Sequence, residues 1–384
     1  LLYNELDKKI IMNSYSKIQV YISTLLFIVI NVLFYFKYIG RVSPLIGVAS
    51  ILCYIVFIYF LFFFYKKKGK LFHSTFQILL LIVFAISSVI TLFYIPKESL
   101  NVDRWEMIEI FWDSASNGIY PYGVHSPSGN YPGPMPFYFI LCYPFYCLGE
   151  IGFTAIIGIF IWIFYIQKKK KNAIDLTILL LFSSLAMYWE IFSRSTVFFN
   201  SCLFFIWFTT LYNLDKKSTF LFYLSAVIGG LLFSTRNIFA IPLLIYGIYM
   251  LRNGMNFIKL LKWGVCFIVV FILTFMPFVI LDWEQFFVMN PFIIQSSFLL
   301  PFRFVLIFLG ASIIIPFMCK NFKDVIFYSG IFLFILITGY VIYSLNRNGI
   351  ESFFVAGADI SYYIFCFPFF LEVIINNNNR YHDR

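Results

Sequence analysis

Apolar runs of about 20 residues recur from one end of this chain to the other, parted by short polar stretches. A helix of that length crosses a hydrocarbon core about 30 Å thick. The runs are apolar on all sides, whereas β-barrel strands would alternate apolar and polar residues in short segments. The pattern predicts an all-α polytopic membrane protein with twelve spans, at 18–39, 43–65, 74–95, 137–166, 173–191, 197–213, 218–235, 238–251, 258–281, 302–319, 324–345 and 360–375. The fourth is too long for one straight crossing. Pro144 and the Gly149-Glu150 pair divide it into a shallow or re-entrant helix over 137–148 and a crossing over 150–166. No internal repeat or soluble domain interrupts the series, so residues 1–384 form one transmembrane domain. Without room for a cytoplasmic nucleotide fold, an ATP-driven pump is not expected. No cleavable signal peptide is expected, because a second span follows the first at once.

The longest polar stretch is the insert 96–136, with the acids Glu98, Asp103, Glu106, Glu109 and Asp113. Residues 103–117 have helical periodicity. Trp105, Met107, Ile108, Phe111 and Trp112 fall within a sector of about 160°, opposite Asp103, Glu106, Glu109 and Asp113. Such a helix lies in the interface, its tryptophans in lipid or against the spans and its carboxylates facing an aqueous cleft. Asn101 is the expected N-cap. Glu109 and Asp113 read as a solvated face; Asp103 sits where the chain leaves the third span and meets the helix. Behind the helix, Gly118, Pro121-Tyr122-Gly123 and Tyr131-Pro132-Gly133-Pro134-Met135-Pro136 build a stiffened surface turn.

Composition supports the membrane reading: 61% of residues are hydrophobic and 12% charged, against about 25% charged in soluble domains. The net charge of +10 reflects lysines that set orientation and does not imply nucleic acid. The seven cysteines form no CxxC pair and read as small buried hydrophobes, and the three histidines are too dispersed for a metal cluster. With twelve spans and a cytoplasmic N-terminus, 20 of the 28 basic residues fall on one side, among them Lys66–Lys68 and Lys168–Lys171. The positive-inside rule then sets both termini in the cytoplasm and the insert outside.

The eight basic residues left over are Lys37, Arg41, Lys97, Arg104, Arg194, Arg236, Arg303 and Arg347. Six of them are arginine, against three of the twenty inside. Topology explains lysine inside but not arginine outside; a rigid five-donor fork suits phosphate oxygens. Two further outer loops are 282–301, apolar enough to lie on the membrane, and 346–359, which carries Arg347, Glu351 and Asp359.

An Asp after an early span, an amphipathic helix ending in Gly, then Pro-Tyr, then a Tyr-Pro-rich turn into the next span: this order resembles the glycosyltransferase C superfamily. The matching residues are Asp103, Gly118, Pro121, Tyr122, Tyr131, Pro132 and Pro136. Ser234-Thr235-Arg236-Asn237 is similar to the basic position those families carry at an outer helix end. The turn reads Tyr-Pro-Gly-Pro where many relatives have Tyr-Pro-Pro. The resemblance implies an integral membrane enzyme that moves a sugar from a polyprenyl-phosphate donor to a glycan, lipid or glycolipid acceptor on the extracytoplasmic face, with inversion. Asp103 is then the general base, by match to the family position, with Glu106 in reserve. Arg236 and Arg194, then Arg303 and Arg347, are candidates for the leaving phosphate. Tyr122, His125 and Tyr131 are candidate substrate contacts, and Trp105, Trp112 and Tyr120 are further aromatics able to stack on sugars. The insert has no Asp-x-Asp pair, so no metal or other cofactor is expected. The sequence bias towards Phe, Ile, Lys and Asn suggests a bacterial inner membrane.

Two rivals remain at this stage. An O-antigen-type polymerase or ligase would place its large outer loop late in the chain. A transporter or lipid flippase would carry acids at mid-depth in broken helices, where Glu150 and Glu190 are the nearest residues, each close to a span end.

Overall fold

A computed structural model describes residues 15–100, 102–214, 218–298, 300–355 and 357–376; among these, every regular element is helical and none is a strand. Helix α1 (Lys17–Phe34) runs on through a π-helical turn at Tyr35–Ile39, followed by α2 (Pro44–Lys68) and α3 (Ser74–Tyr94). The insert carries α4 (Arg104–Ser116) and leads into α5 (Pro136–Cys147) and α6 (Phe153–Lys169). Next come α7 (Ile174–Phe182), α8 (Leu185–Phe192), α9 (Val197–Leu214), α10 (Thr219–Phe233), α11 (Ala240–Arg252) and α12 (Phe257–Leu273). Three short helices, α13 (Met276–Leu281), α14 (Trp283–Val288) and α15 (Pro291–Phe298), precede α16 (Phe302–Ile314), α17 (Phe322–Asn348) and, after a 3-10 segment at Ile360–Cys366, α18 (Phe367–Asn376).

Five stretches are long and apolar enough to cross a membrane: Lys17–Ile39, Pro44–Lys68, Ser74–Tyr94, Phe257–Leu281 and Phe322–Asn348. Only 17% of the apolar window of α3 and 11% of that of Phe257–Leu281 is buried within the protein. Apolar surface of that extent belongs against lipid. The other expected spans form shorter helices. Among the described residues, length and composition thus qualify five helices as crossings, or six with the bent pair Lys171–Phe182 and Leu185–Phe192, which falls short of showing the twelve expected.

Two expectations about helix breaks change. Span 173–191 is not one straight rod: it bends by 65° at Ser183 and Ser184. Ser184 Oγ donates to Asn31 Oδ1 at 2.6 Å and Tyr188 OH donates to the Phe182 carbonyl at 2.9 Å, so side chains take up the backbone and polar groups freed at the bend. In the 137–166 stretch, Pro144 lies inside α5 and does not end it. The break comes at Gly149, whose φ of 77° suits glycine and stops the helix.

The interior is built around α9 and α18. Phe367–Ile375 are buried throughout, and Phe369 meets Phe205 edge to face at 5.0 Å. Lipid tails are as apolar as leucine, so close packing, and not exclusion from water, must hold such helices together. Small residues provide it. A Cβ on Gly158 would lie 2.8 Å from the Phe199 Cα, so α6 and α9 touch backbone to backbone there. Gly230 similarly admits the Phe267 carbonyl of α12 against α10.

Polar groups gather at two poles, separated along α2 by about 37 Å. At its C-terminal pole lie Lys66–Lys68, Lys169, Lys170 and Arg252. Lys66–Lys68 are exposed, whereas Lys169 pairs with buried Glu372 at 2.5 Å and Lys170 donates to the Ile375 carbonyl. Arg252 donates to the Pro316 and Cys319 carbonyls, and Asp175 accepts from the Leu71 and Phe72 amides at 2.6 and 3.0 Å. Asp175 and Glu372 are therefore two buried acids beyond the Glu150 and Glu190 expected, and both belong to this pole. The other pole holds Arg41, the insert and the late loop.

Candidate functional site

At the second pole a cavity of about 1330 Å³ opens between the insert, the end of α1, the Ser195–Thr196 turn, Arg236, α15, the end of α17 and Asp359. Its wall from the insert begins at α4. That helix starts at Arg104, one residue later than expected, with Asp103 at the N-cap; the expected cap Asn101 lies outside the described residues. Asp103 does not cap the helix through its side chain. Instead Oδ2 accepts from Asn130 Nδ2 at 2.6 Å and from Ser128 Oγ at 3.3 Å. A tight turn delivers both donors: Gly129 takes φ 81° and the Ser126 amide donates to the Asn130 carbonyl. Among the described residues Oδ1 accepts no hydrogen bond, which leaves one carboxylate oxygen free in the cavity.

Glu106 lines the cavity one turn on. Burial first, then the nearby Asp103 and Glu109 carboxylates, raise its pKa. The remaining acids of the helix do not face the cleft as expected. Glu109 pairs with Lys97, which also lies 4.2 Å from the Trp105 ring, and Asp113 accepts from Tyr146 OH at 2.5 Å. The apolar face turns to protein and not to lipid. Phe111 stacks on Phe139 of α5 at 3.6 Å, and Trp112 Nε1 donates to the Phe139 carbonyl at 3.1 Å. Gly118, at φ 71°, ends the helix as expected.

Of the candidate arginines, the cavity gathers Arg236 and Arg347 and leaves out Arg194 and Arg303. The Ser234 and Thr235 carbonyls accept from the Tyr138 and Met135 amides, which seats Arg236 over the Tyr138 ring at 5.0 Å. Its Nε is buried without a hydrogen-bond partner, and among the described residues it pairs with no carboxylate. Arg194 is fully engaged elsewhere. It stands at φ 48°, donates to the Leu92 and Ile95 carbonyls at 2.8 and 2.7 Å, and approaches Glu150 at 3.4 Å. Those bonds close the frayed end of α3; a phosphate could not reach the guanidinium without breaking them. Arg303 lies over the Phe304 ring.

The candidate substrate contacts also divide. Tyr131 lines the cavity with Trp105. Tyr122 is fully buried and donates to the Pro134 carbonyl, so it braces the turn. His125 stands off the cavity, with Nδ1 3.1 Å from the Ser126 carbonyl oxygen and its ring edge-on to Tyr131. Tyr120 and Trp112 spend their polar groups on carbonyls.

Several residues in or beside the cavity had no role assigned to them from the sequence. Arg104 donates to Asp359 at 2.6 Å and to Ser361 Oγ, joining the insert to the late loop. Burial opposes ionisation of Asp359, but the Arg104 guanidinium and the bonds from Ser361 outweigh it and hold the carboxyl below its usual range. Buried Glu190 stands within electrostatic reach of Arg104. Lys37 donates to the Ala358 carbonyl. Tyr362 lies within electrostatic reach of Asp359, Arg236, Arg104 and Asp103, so it marks the place where the two walls meet. Asn130 completes the set. Only the Ser-Pro-Ser-Gly-Asn turn hinted at it.

Among the described residues no group of His, Cys, Asp and Glu is arranged to hold a metal. The loop 282–301, expected on the membrane surface, exposes Trp283, Phe287 and Val288, while Ile294 and Gln295 of α15 turn into the cavity. Against known proteins, no family model, no curated protein and no solved structure matches this chain.

Proposed function

We propose that the protein is a membrane glycosyltransferase that moves a sugar from a polyprenyl-phosphate donor to an acceptor hydroxyl in this cavity. One observation carries the reading: a carboxylate with one free oxygen, Asp103, and an arginine without a carboxylate partner, Arg236, line the same water-accessible cavity. The order of parts in the insert, which resembles the glycosyltransferase C superfamily, supports it.

In this reading the acceptor oxygen attacks the anomeric carbon from the face opposite the phosphate. Asp103 Oδ1 takes the acceptor proton as the new bond forms. The bond from the anomeric carbon to the phosphate oxygen breaks with its electron pair, and the charge that grows on the phosphate falls to Arg236. Configuration inverts. Asn130 and Ser128 hold Oδ2, so the base keeps its orientation and Oδ1 stays available. No cofactor enters these steps. The lysine pole faces the cytoplasm with both termini, twelve segments enter or cross the bilayer, and the cavity opens on the extracytoplasmic side of a bacterial inner membrane.

The test uses purified protein in vesicles with a labelled polyprenyl-phosphate sugar and a cell-envelope extract as acceptor source. Asp103→Asn is expected to abolish transfer while donor binding and folding persist. Full transfer by that variant would sink the assignment. A polymerase or ligase is the second reading, favoured by the presence of Arg347 and Asp359, both from a late outer loop, in the same cavity. Transfer of a preassembled oligosaccharide in place of one sugar would select it.

A further inference from the structure

Five cations and four carboxylates, Glu98, Asp103, Glu106 and Asp359, line the cavity, and not every cation is matched. Lys37, Arg41, Arg104, Arg236 and Arg347 all line it. Arg104 is neutralised by Asp359, and Lys37 is tied to the Ala358 carbonyl. Arg236 is assigned above. Arg41 and Arg347 remain, both exposed, and among the described residues neither pairs with a carboxylate.

These two come from distant parts of the chain, yet the fold sets them around the same short segment. Lys37, one turn before Arg41, bonds to Ala358. Ser344, one turn before Arg347, donates to the Gly357 carbonyl at 2.5 Å. Arg41 packs on the Tyr38 ring at 5.8 Å, so its direction is guided. Arg347 stands in the last turn of α17, where the helix dipole favours a cation without supplying a fixed partner.

The Arg104–Asp359 bridge lies within electrostatic reach of both groups. On one side Arg104, Asp359 and Arg41 are all within electrostatic reach of Lys37. On the other, Arg104 and Asp359 reach Tyr362 together with Arg236 and Asp103. Size points the same way. A cavity of about 1330 Å³ exceeds the roughly 300–1,000 Å³ of a site for one small ligand.

We propose that the cavity holds two anionic groups at once, the donor phosphate at Arg236 and a phosphate or carboxylate of the acceptor at Arg41 and Arg347. The acceptor is then a negatively charged glycan or glycolipid. This rests on the transferase reading, but the second anion station can be tested apart from it.

The experiment measures equilibrium binding to the full chain in phosphatidylcholine nanodiscs, which contribute no net anionic lipid. Farnesyl phosphate probes the donor station; glycerol phosphate and glucuronate probe the second. The wild-type protein is expected to bind a soluble anion even when saturated with farnesyl phosphate. The double variant Arg41→Ala with Arg347→Ala should weaken soluble-anion binding by roughly tenfold or more and leave farnesyl phosphate within about twofold. Lysine at both positions should restore most of the loss. The tighter of the two soluble probes names the acceptor's charged group. One-for-one competition between the soluble anions and farnesyl phosphate would overturn the proposal, as would unchanged soluble-anion binding in the double variant or none in the wild type. Failure of farnesyl phosphate to bind the wild type overturns the transferase reading, and with it the acceptor assignment, even where a soluble anion still binds at Arg41 and Arg347.

Discussion

The two poles of the molecule are both rich in cations, and they use them in opposite ways. At the lysine pole Lys66–Lys68 are exposed, while three further cations are spent on the protein itself: Lys169 on Glu372, Lys170 on the end of α18, and Arg252 on carbonyls after α16. Asp175 and Asp324 are equally occupied, by backbone amides and by Gln77 and Gln19. At the arginine pole a cavity separates groups that stay incomplete. Asp103 keeps a free oxygen, Arg236 keeps a buried unbonded Nε, and Arg41 and Arg347 have no carboxylate among the described residues. Buried or half-buried polar groups are costly unless they are satisfied. Glu372 Oε2 is also buried without a partner, but in a closed setting; it is the cavity beside Asp103, Arg236, Arg41 and Arg347 that opens their groups to a ligand.

The comparison can be broken or sharpened by substitution. The largest effect is expected at Asp103, where Asn should cut transfer by about 10²–10⁴-fold, measured as product formed per folded protein. Arg236→Ala should raise the donor KM by about 10–100-fold with the acceptor KM unchanged. If acceptor use suffered instead, the phosphate role would be wrong. Arg194→Ala tests the boundary of the site from the other direction. It leaves Glu150 and the end of α3 without their partner and should cost about 3–5 kcal/mol of stability, read as a lowered Tm in detergent, and any folded fraction should keep its donor KM.

Smaller effects are expected from the lysine pole. Glu372→Gln should lower stability by about 1–3 kcal/mol and leave transfer per folded molecule intact. The smallest concerns pH. Glu106 has a raised pKa in the folded protein, chiefly through burial, so folding favours its protonated form. Its contribution is fully present below the unfolded value of about 4.3 and is lost as pH rises through the folded value. The Tm of the wild type should therefore fall slightly relative to Glu106→Gln across that window. Parallel curves would show that the shift has no weight.

Much of this was readable before the structure. Hydrophobic runs located the helices because lipid leaves the backbone no alternative to satisfying its own hydrogen bonds. Phasing set Ile108 and Phe111 opposite Asp103 and Glu106, which line the cavity, but it also put Glu109 and Asp113 on the cleft side, where Lys97 and Tyr146 engage them instead. The bend at Ser183 was not legible, because Asn31, distant in sequence, takes up the Ser184 hydroxyl, and neither was the continuity of α5 through Pro144. The same limit applies to Arg194 and Arg236. Both looked like outer arginines; only the tertiary structure shows one bound to the end of α3 and the other facing the cavity. Arg104, adjacent to Asp103, was passed over because its partner Asp359 lies 255 residues away.

The most direct test of the contrast between the poles is the affinity of the purified protein for farnesyl phosphate. The wild type and Lys169→Met should bind it alike, while Arg236→Ala should bind it about 10–100-fold more weakly. Equal affinity in Arg236→Ala, or a loss confined to Lys169→Met, would contradict the assignment of the arginine pole as the working end.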